Sequence, residues 1–443
     1  MRLGSLLPGL AVALAMAGPV PARTLEPVPT TLTLSATPVY ADRDTPLLIE
    51  LVREDATPVA DAHVAVERRV DGGWQSIGDA TTDDAGRGEL PVTLARIAAD
   101  NVFRASYAGG EVTGPSETGP VQIQLVRRTS RLTIGGSATV VDETSVVLRI
   151  RWTTGNGLPV EGVVTLQRRV PGQDWEARRD LRTGSDGRVQ LEVAPRVDTR
   201  WRAVADPLDW VDGARSEVHA IDNLPPGLPV RLPDDAPEPT VSLPEQARAL
   251  GEGANPVVSE IPRRIWRQMN GRSWHQGCPV GRADLRRLQI NYWDFTGYRR
   301  RGELIANKDA VQAMSEAFAD LYARKLPLRS MYRVDRFGWS DRLGGADNFA
   351  SMSADNTSAF NCRQVVGDPD TRSPHSWGRS VDLNPWENPY RSRLGEVPNT
   401  WWLAHAHPRV AWRSTAHAVV EAMAAQGLVW TYGLGDAQHF DAD

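Results

Sequence analysis

The stretch Val64-Ala-Val-Glu-Arg-Arg-Val70, followed by Trp74 and Asp84-Ala-Gly-Arg87, returns later in the chain. The second copy reads Val164-Thr-Leu-Gln-Arg-Arg-Val170, followed by Trp175 and Asp186-Gly-Arg188. In both copies apolar residues alternate with polar ones, which is the period-two pattern of antiparallel strands. The repeat length, about 100 residues, is that of an immunoglobulin-like sandwich. The sequence therefore predicts two tandem all-β immunoglobulin-like sandwiches, over residues 28–126 and 129–222.

The remaining chain divides into a proline-rich segment and a mixed C-terminal domain. Residues 223–262 are rich in proline and acidic residues, which predicts a semi-extended linker. Residues 263–443 combine helical patterns at 311–325 and 415–426 with strand-like runs at 328–334 and 428–432. This combination predicts an α+β domain.

The N-terminus and the cysteines indicate export. Residues 3–18 are mostly apolar and are followed by Val20-Pro21-Ala22, which is typical of a signal peptide spanning residues 1–22. No later segment is apolar enough to span a membrane after signal removal. We therefore expect a secreted protein, extracellular or associated with the cell wall. The chain has two cysteines, Cys278 and Cys362, and an even count in an exported protein favours a disulfide over zinc ligation.

The charge of the chain argues against a nucleic-acid partner. There are 50 Lys and Arg residues against 55 Asp and Glu, for a formal net charge of -5. The two signs are mixed along the sequence, which gives no basic stripe of the kind that tracks phosphates. The predicted sandwiches contain no cluster of titratable residues, so they are interpreted as spacers or as modules that bind a wall or surface ligand.

Two segments of the C-terminal domain carry the side chains that zinc prefers. The first is Ser373-Pro-His375-Ser-Trp-Gly378-Arg-Ser-Val-Asp382, and the second is Gly435-Asp436-Ala-Gln-His439-Phe. Catalytic zinc takes three nitrogen or carboxylate ligands and keeps one position open. His375, Asp382 and His439 therefore predict a site for one Zn²⁺, with Asp436 as a spare carboxylate. A lone His-to-Asp spacing would be weak evidence, and the prediction depends on both segments occurring together.

These segments give the domain a resemblance to a known family. The pattern Ser-x-His-x-x-Gly-x-x-x-Asp, with a later Asp-x-x-His-Phe, resembles the D-alanyl-D-alanine carboxypeptidase family of zinc peptidases. That family includes vancomycin-resistance carboxypeptidases and phage L-alanyl-D-glutamate endopeptidases. The similarity covers residues 265–443 and includes Asn356-Thr-Ser-Ala-Phe-Asn-Cys-Arg363 and Asp382-Leu-Asn-Pro385.

The resemblance implies roles for individual residues. His375, Asp382 and His439 match the zinc ligands, and Asp436 matches the catalytic acid/base. Arg333 matches an arginine near the substrate, and Ser373 matches a substrate-contacting position. The structural alternatives are a turn-capping role for Asp436 and, for Arg333, an ion pair to Asp335 or Asp341.

One part of the family pattern differs in this chain. Where the family has Gly-Trp-x-Trp-Gly-Gly, the sequence reads Gly427-Leu-Val-Trp430-Thr-Tyr432-Gly433. The bulkier Thr431 and Tyr432 are expected to narrow or reshape the cleft.

The sequence predicts an exported zinc metallopeptidase that cuts peptidoglycan stem peptides. Both a D-Ala-D-Ala carboxypeptidase and an L-Ala-D-Glu type endopeptidase fit the pattern. The alternatives are a wall or surface binding protein with an inactive peptidase-like domain, and a zinc peptidase that acts on proteins or small D-peptides.

Overall fold

The computed structural model describes residues 26–443, so the predicted signal peptide lies outside the described residues. The chain divides into two compact units. The first runs to Gly136 and includes Leu148–Leu191 and Arg200–His219, and the second comprises Ser137–Val147, Glu192–Thr199 and Ala220–Asp443. This division does not follow the predicted boundary at residue 222. Within residues 26–443, no helix has the length and apolar character needed to cross a membrane.

The first repeat forms two β-sheets that share one apolar core. Its strands are β1 Thr30–Ser35, β2 Asp44–Arg53, β3 His63–Val70, β4 Gly73–Thr81, β5 Arg87–Thr93, β6 Val102–Tyr107, β7 Ser116–Glu117 and β8 Val121–Gln122. One sheet has the order β1-β2-β5, and the other has the order β4-β3-β6-β7 with β8 also paired to β6. Ile49 of the first sheet and Phe103 of the second are both buried in this core. Paired sheets around a common core agree with the predicted β-sandwich.

The second repeat has the same kind of strand pairing. Its strands are β9 Ser130–Gly135, β10 Thr139–Val141, β11 Val146–Thr154, β12 Val163–Arg169, β13 Glu176–Arg182, β14 Arg188–Val193, β15 Thr199–Ala205, β16 Ala214–Arg215 and β17 His219–Leu224. The order β14-β11-β9 forms one sheet, and β12 lies between β13 and β15 in another. In the second unit, β10 pairs in parallel with β17. The immunoglobulin-like class itself remains a prediction.

The C-terminal part combines helices with short sheets. Its helices are α1 Arg263–Met269, α2 Val311–Ala323, α3 Asn348–Ser353 and α4 Ala418–Ala424, and its strands are β18 Val257–Glu260, β19 Leu285–Trp293, β20 Arg299–Asn307, β21 Trp339–Ser340, β22 Gly345–Ala346, β23 Gln364–Val365, β24 Asp368–Arg372, β25 Ser380–Asp382, β26 Tyr390–Ser392, β27 Gly395–Val397, β28 Leu428–Val429 and β29 His439–Ala442. The strands β18-β19-β20 and β25-β29-β28 form three-stranded antiparallel sheets. Helices α2 and α4 bury their apolar faces in one core with β19. This core holds the strands that carry the histidine segments.

The two helical predictions agree with α2 and α4, but the predicted strand at residues 328–334 is wrong. That segment has only an isolated bridge between Ser330 and Asn356, and a 3₁₀ turn follows at Val334–Phe337. Side-chain amides provide several of its backbone hydrogen bonds. Gln246 accepts from Met331 N at 2.8 Å and donates to Met331 O at 2.8 Å, and Asn356 does the same for Tyr332 at 2.7 and 3.0 Å. Single backbone hydrogen bonds join Leu328 N to Trp293 O of β19 at 2.9 Å and Glu303 N of β20 to Met331 O at 3.0 Å, so the apolar segment contacts strands without forming a ladder with them.

The proline-rich segment belongs to the second unit and packs within it, which a semi-extended linker would not do. Gln246 is 9% exposed and also accepts a hydrogen bond from the hydroxyl of Tyr292. Backbone hydrogen bonds join Val230 to Phe295 and Val241 to Ser353. The lack of regular structure was predictable from the prolines, whereas these contacts with residues far along the chain were not.

The predicted disulfide is present. Cys278 and Cys362 are bonded to each other across 84 residues of sequence. The bond adjoins a small core that includes Ile265 and Phe360. It therefore links the segment after α1 to the segment that leads into the candidate site.

Candidate metal centre

The pairing of β25 with β29 brings the two histidine segments together. In this antiparallel register Asp382 lies opposite His439, although the two residues are far apart in sequence. His375 lies on a 3₁₀ turn, Pro374–Trp377, immediately before β25. Gly378 ends that turn with φ 71°, and a Cβ there would lie 2.8 Å from Asn307 N. Glycine is therefore required to return the chain from His375 into β25.

Three potential ligand atoms converge at this point. His375 Nε2 lies 3.1 Å from His439 Nδ1, and each of these nitrogens lies 3.2 Å from Asp382 Oδ1. All three side chains are buried. In a tetrahedral zinc site with bonds of about 2.0–2.1 Å, ligand atoms are separated by about 3.3–3.4 Å. The observed spacing and the two-nitrogen, one-carboxylate donor set therefore fit zinc.

In each histidine, the ring nitrogen that does not face the common point has a hydrogen-bond partner that fixes the orientation of the ring. His375 Nδ1 donates to the carbonyl of Ala359 at 2.7 Å. His439 Nε2 donates to Asp441 Oδ1 at 2.9 Å. These bonds leave His375 Nε2 and His439 Nδ1 as lone-pair donors toward the common point, as in the metal sites of many proteins.

Asp441 is a residue that sequence reasoning did not single out. Besides accepting from His439, it accepts from the Ser380 hydroxyl at 2.5 Å and the Thr431 hydroxyl at 2.8 Å. Thr431 therefore helps to position Asp441, which in turn fixes His439. It is not among the residues that line the cavity, so it does not narrow the cleft. Alternation along β29 was the available signal, because His439 and Asp441 are two residues apart on one strand.

The charges of this group are strongly interdependent. Burial opposes ionisation of Asp382, but the two histidines outweigh it and hold the pKa of Asp382 below its usual range. Burial lowers the pKa of His439, but its hydrogen bonds to Asp382 and Asp441 raise that pKa to about 10. In the absence of metal, a proton therefore stabilises the cluster in the place of a cation.

Asp436 lies in the same cavity as the three ligand candidates. This cavity has a volume of about 390 Å³, and its wall also includes Ser373, Arg363 and Tyr390. Burial, together with the negative charge of Asp382, raises the pKa of Asp436 to about 7. Asp436 Oδ1 is buried and has no hydrogen-bond partner among the described residues. A buried carboxyl with a pKa near neutrality can both accept and return a proton.

Arg333 does not lie on this cavity, so its prediction as a catalytic residue is not supported. Its guanidinium is paired with Asp335 at 3.0 Å and with Glu303 at 2.7 Å. It lines a different pocket, which includes Gln268 and Arg272. The structural alternative for this residue, an ion pair to Asp335, is the arrangement that the structure has.

The arginine that lines the cavity is Arg363. It ends the motif Asn356-Thr-Ser-Ala-Phe-Asn-Cys-Arg363, but the sequence analysis assigned it no role. It is buried, and its Nε has no partner among the described residues. Burial lowers the pKa of Arg363, while the negative charges of Asp382 and Asp436 oppose this effect. Backbone hydrogen bonding from Ser373 N to Arg363 O, at 3.0 Å, joins it to the first histidine segment. Its place beside Cys362, whose bond to Cys278 anchors this segment, was the one sequence signal.

Of the residues expected to shape the cleft, Tyr432 does line the cavity. Its ring centroid lies 5.2 Å from that of His439, at an interplanar angle of 51°. Tyr432 is 51% exposed, so it forms part of the cavity mouth. A large aromatic side chain at this position restricts the shape of the group that can enter.

Comparison with known proteins supports a peptidase in this part of the chain. Residues 367–442 match the family model described as D-alanyl-D-alanine carboxypeptidase. The matched residues include both histidine segments and make up less than half of the chain. This family is typically zinc-dependent. No curated protein matches the chain.

Three solved structures that match this chain are distantly similar to it. A marsupial T cell receptor aligns at 10% identity and a TM-score of 0.24, covering 61% of this chain and 99% of that one. A tetra-tandem repeat from the extending region of a large adhesion protein aligns at 13% identity and 0.28, covering 63% and 64%. The native conformation of E. coli alpha-2-macroglobulin aligns at 11% identity and 0.20, covering 63% and 20%. These scores are too low to support an inference about fold or function.

Proposed function

We propose that this chain is an exported zinc peptidase that hydrolyses peptide bonds in peptidoglycan stem peptides. The observation that carries the proposal is the convergence of His375 Nε2, Asp382 Oδ1 and His439 Nδ1 within 3.2 Å of one another. The carboxyl of Asp436, whose Oδ1 has no hydrogen-bond partner among residues 26–443, lies in the same cavity. The family match supports the peptidase class, and the description of that family supplies the substrate of the proposal.

Zinc would be held by His375, Asp382 and His439. When bound, it supplies Lewis acidity that polarises a carbonyl and makes water more acidic. The carbonyl of Ala359 and the carboxylate of Asp441 hold the two imidazoles in the required orientation. The protein therefore provides a prearranged ligand set with fixed tautomers.

Asp436 acts as the acid/base in this proposal. Its ionised carboxylate takes a proton from the water that attacks the scissile carbonyl. It then delivers this proton to the nitrogen of the leaving amine, so that one group serves both halves of the reaction. The pKa of about 7 suits both transfers at neutral pH.

Arg363 and Ser373 bind the substrate in this proposal. The free Nε–H of Arg363 can donate to the oxygen that becomes negative during attack, or to a substrate carboxylate. Ser373 lies on the cavity wall next to His375. Tyr432 limits the width of the entrance. We assign Arg363 the substrate-facing role that the sequence analysis gave to Arg333.

The test is digestion of purified peptidoglycan by the zinc-loaded protein and by its Asp436→Asn variant. Asp320→Asn serves as the matched control, because Asp320 is a carboxylate of the same unit that is paired with Arg324 on α2. Mass spectrometry of the products separates a carboxypeptidase, which releases D-alanine, from an endopeptidase, which releases peptide fragments. We expect products from the wild type and the control, and at least 100-fold less from Asp436→Asn.

The alternatives predict other results. A binding protein with an inactive domain would bind zinc and wall material but release nothing from it. A peptidase for proteins or small D-peptides would leave peptidoglycan intact and cleave members of a peptide panel. Either result would overturn the proposed substrate, and the first would also overturn the proposed activity.

A further inference from the structure

The structure brings exposed arginines together on one sheet of the second repeat, although the sequence analysis expected no cluster of titratable residues there. Arg131 of β9, Arg149 and Arg151 of β11 and Arg188 of β14 are all exposed, and we call this surface the arginine face. All of these strands belong to the sheet β14-β11-β9. Among residues 26–443, the four guanidinium groups have no hydrogen-bond or ion-pair partner. Arg149, Arg151 and Arg188 line a groove of about 740 Å³.

The first repeat provides an internal comparison for this face. The hydrogen bond from Leu51 N to Gly86 O, at 2.9 Å, has its counterpart in the bond from Trp152 N to Gly187 O, at 2.8 Å. This correspondence, extended along the paired strands, makes the following positions equivalent: Thr31 and Arg131, Leu48 and Arg149, Glu50 and Arg151, Arg87 and Arg188. The formal charge of the four positions is zero in the first repeat, with one Glu and one Arg, and +4 in the second.

The comparison shows that the fold does not require these arginines. In the first repeat Glu50 and Arg87 form an ion pair at 3.6 Å. In the second repeat the equivalent residues, Arg151 and Arg188, are both positive. Like charges at neighbouring positions of a sheet are destabilising. A function other than stability therefore accounts for them.

We propose that the arginine face binds a flexible phosphodiester polymer that carries no aromatic bases. Arg149 and Arg151 are two residues apart on one strand, about 7 Å, and Arg151 and Arg188 lie on adjacent strands, about 5 Å apart. Closely spaced positive charges on a sheet surface suit a chain of repeated anions better than one small anion. Guanidinium groups bind phosphate oxygens with two parallel hydrogen bonds.

Two features of the groove define the ligand further. Among its described lining residues none is aromatic, so it offers no platform for base stacking, which is the usual means of holding single-stranded nucleic acids. The acidic residue of the lining, Asp186, accepts from its own turn at Arg188 N, at 3.0 Å. Glu192, further along β14, accepts from the hydroxyl of Ser145. Neither carboxylate forms an ion pair with the four guanidinium groups, which leaves the arginines free for an anionic polymer.

The test measures binding of the full chain to poly(glycerol phosphate) that carries no peptide. The variant Arg131→Thr/Arg151→Glu copies the residues of the first repeat and places a glutamate beside Arg188. The control Arg179→Thr/Arg200→Glu makes the same change in charge at exposed positions on the other sheet, where residue 200 lies opposite Arg169. Thermal unfolding of both variants checks that they fold.

We expect the wild type and the control to bind, and the first variant to bind at least tenfold more weakly. Raising salt from 50 to 200 mM should weaken wild-type binding by roughly 50-fold if four phosphates are contacted. Equal loss in both variants, or no loss in either, would overturn the proposal. Equally tight binding of an oligothymidylate would overturn the choice of a base-free polymer. The assay involves no hydrolysis, so its outcome is independent of the proposed peptidase activity.

Discussion

Replacement of Asp441 should weaken zinc binding although this carboxylate is not one of the three converging ligands. Asp441 accepts from His439 Nε2 at 2.9 Å and so keeps the lone pair of Nδ1 directed toward His375 Nε2 and Asp382 Oδ1. It also increases the basicity of the imidazole, because its negative charge lies beside the Nε2–H. Partners of this kind typically contribute 10–100-fold to metal affinity.

The size of the effect follows from the type of hydrogen bond that each variant retains. Asp441→Asn keeps an acceptor oxygen but loses the charge. A hydrogen bond to a charged group contributes about 1.5–3 kcal/mol and a neutral one about 0.5–1.5, so the loss is about 1–1.5 kcal/mol, or roughly tenfold in Kd. Asp441→Ala removes the acceptor altogether and should reduce affinity by about 100-fold. It also leaves the buried Ser380 hydroxyl without this partner, so some thermal stability should be lost as well.

The assay is competition for zinc against a chromophoric chelator at pH 7.5, with wild type, Asp441→Asn, Asp441→Ala and the control Asp320→Asn. We expect the Kd for zinc to be lowest for the wild type and the control, higher for Asp441→Asn and highest for Asp441→Ala. Unchanged affinity in a folded Asp441→Ala protein would refute the assignment of Asp441 as a positioning residue. Equal loss in Asp320→Asn would instead indicate a general effect of charge on the unit.

Three further predictions follow from the same part of the chain. Arg363→Lys should lower kcat/KM by about 100-fold or more with little change in Tm. Arg333→Met should lower the free energy of unfolding by about 3–5 kcal/mol, because it leaves the buried carboxylate of Asp335 without its ion pair, although Glu303 keeps its ion pair with Arg287. Hydrolysis rates and denaturant melts separate the two effects. The pKa of His439 is raised to about 10 in the metal-free protein, so this residue must lose a proton when zinc binds. The apparent zinc affinity should therefore rise about tenfold per pH unit between pH 6 and 9. Chelator competition measures this dependence, and an affinity that does not change with pH would contradict the prediction. Replacing Cys278 and Cys362 with serine opens a loop of 84 residues and should lower stability by about 4 kcal/mol relative to the disulfide-bonded wild type, measured by denaturant unfolding without reductant.

The sequence was sufficient for features that depend on local pattern. Alternation predicted the strands around Val64 and Val164, and helical spacing predicted α2. The residues of the candidate site that lie within the two histidine segments were also found, because β25 and β29 pair directly and keep the motif spacing. In each case the residues that determine the feature lie within a few positions of it in the sequence.

Features that depend on distant partners were beyond the sequence. Residues 328–334 have a strand-like pattern, but their hydrogen bonds go to side-chain amides such as that of Gln246, from the proline-rich segment. The same segment was interpreted as a linker because proline content predicts irregular backbone and says nothing about packing. The roles of Arg333 and Arg363 could not be separated either, since only the groups around each guanidinium in the folded chain distinguish them.

Because the chain contains two copies of one fold, residues needed for folding can be distinguished from residues that differ between the copies. Equivalent core positions such as Leu51 and Trp152 are apolar in both copies, because each sandwich must fill its core. Exposed positions are free of that requirement, so their differences reflect what each surface contacts. Glu50 and Arg151 occupy equivalent exposed positions with opposite charges, and this contrast in sign has no explanation in packing. Binding at the arginine face is therefore a property of the second repeat alone, and exchanging these residues between the copies should transfer it to the first.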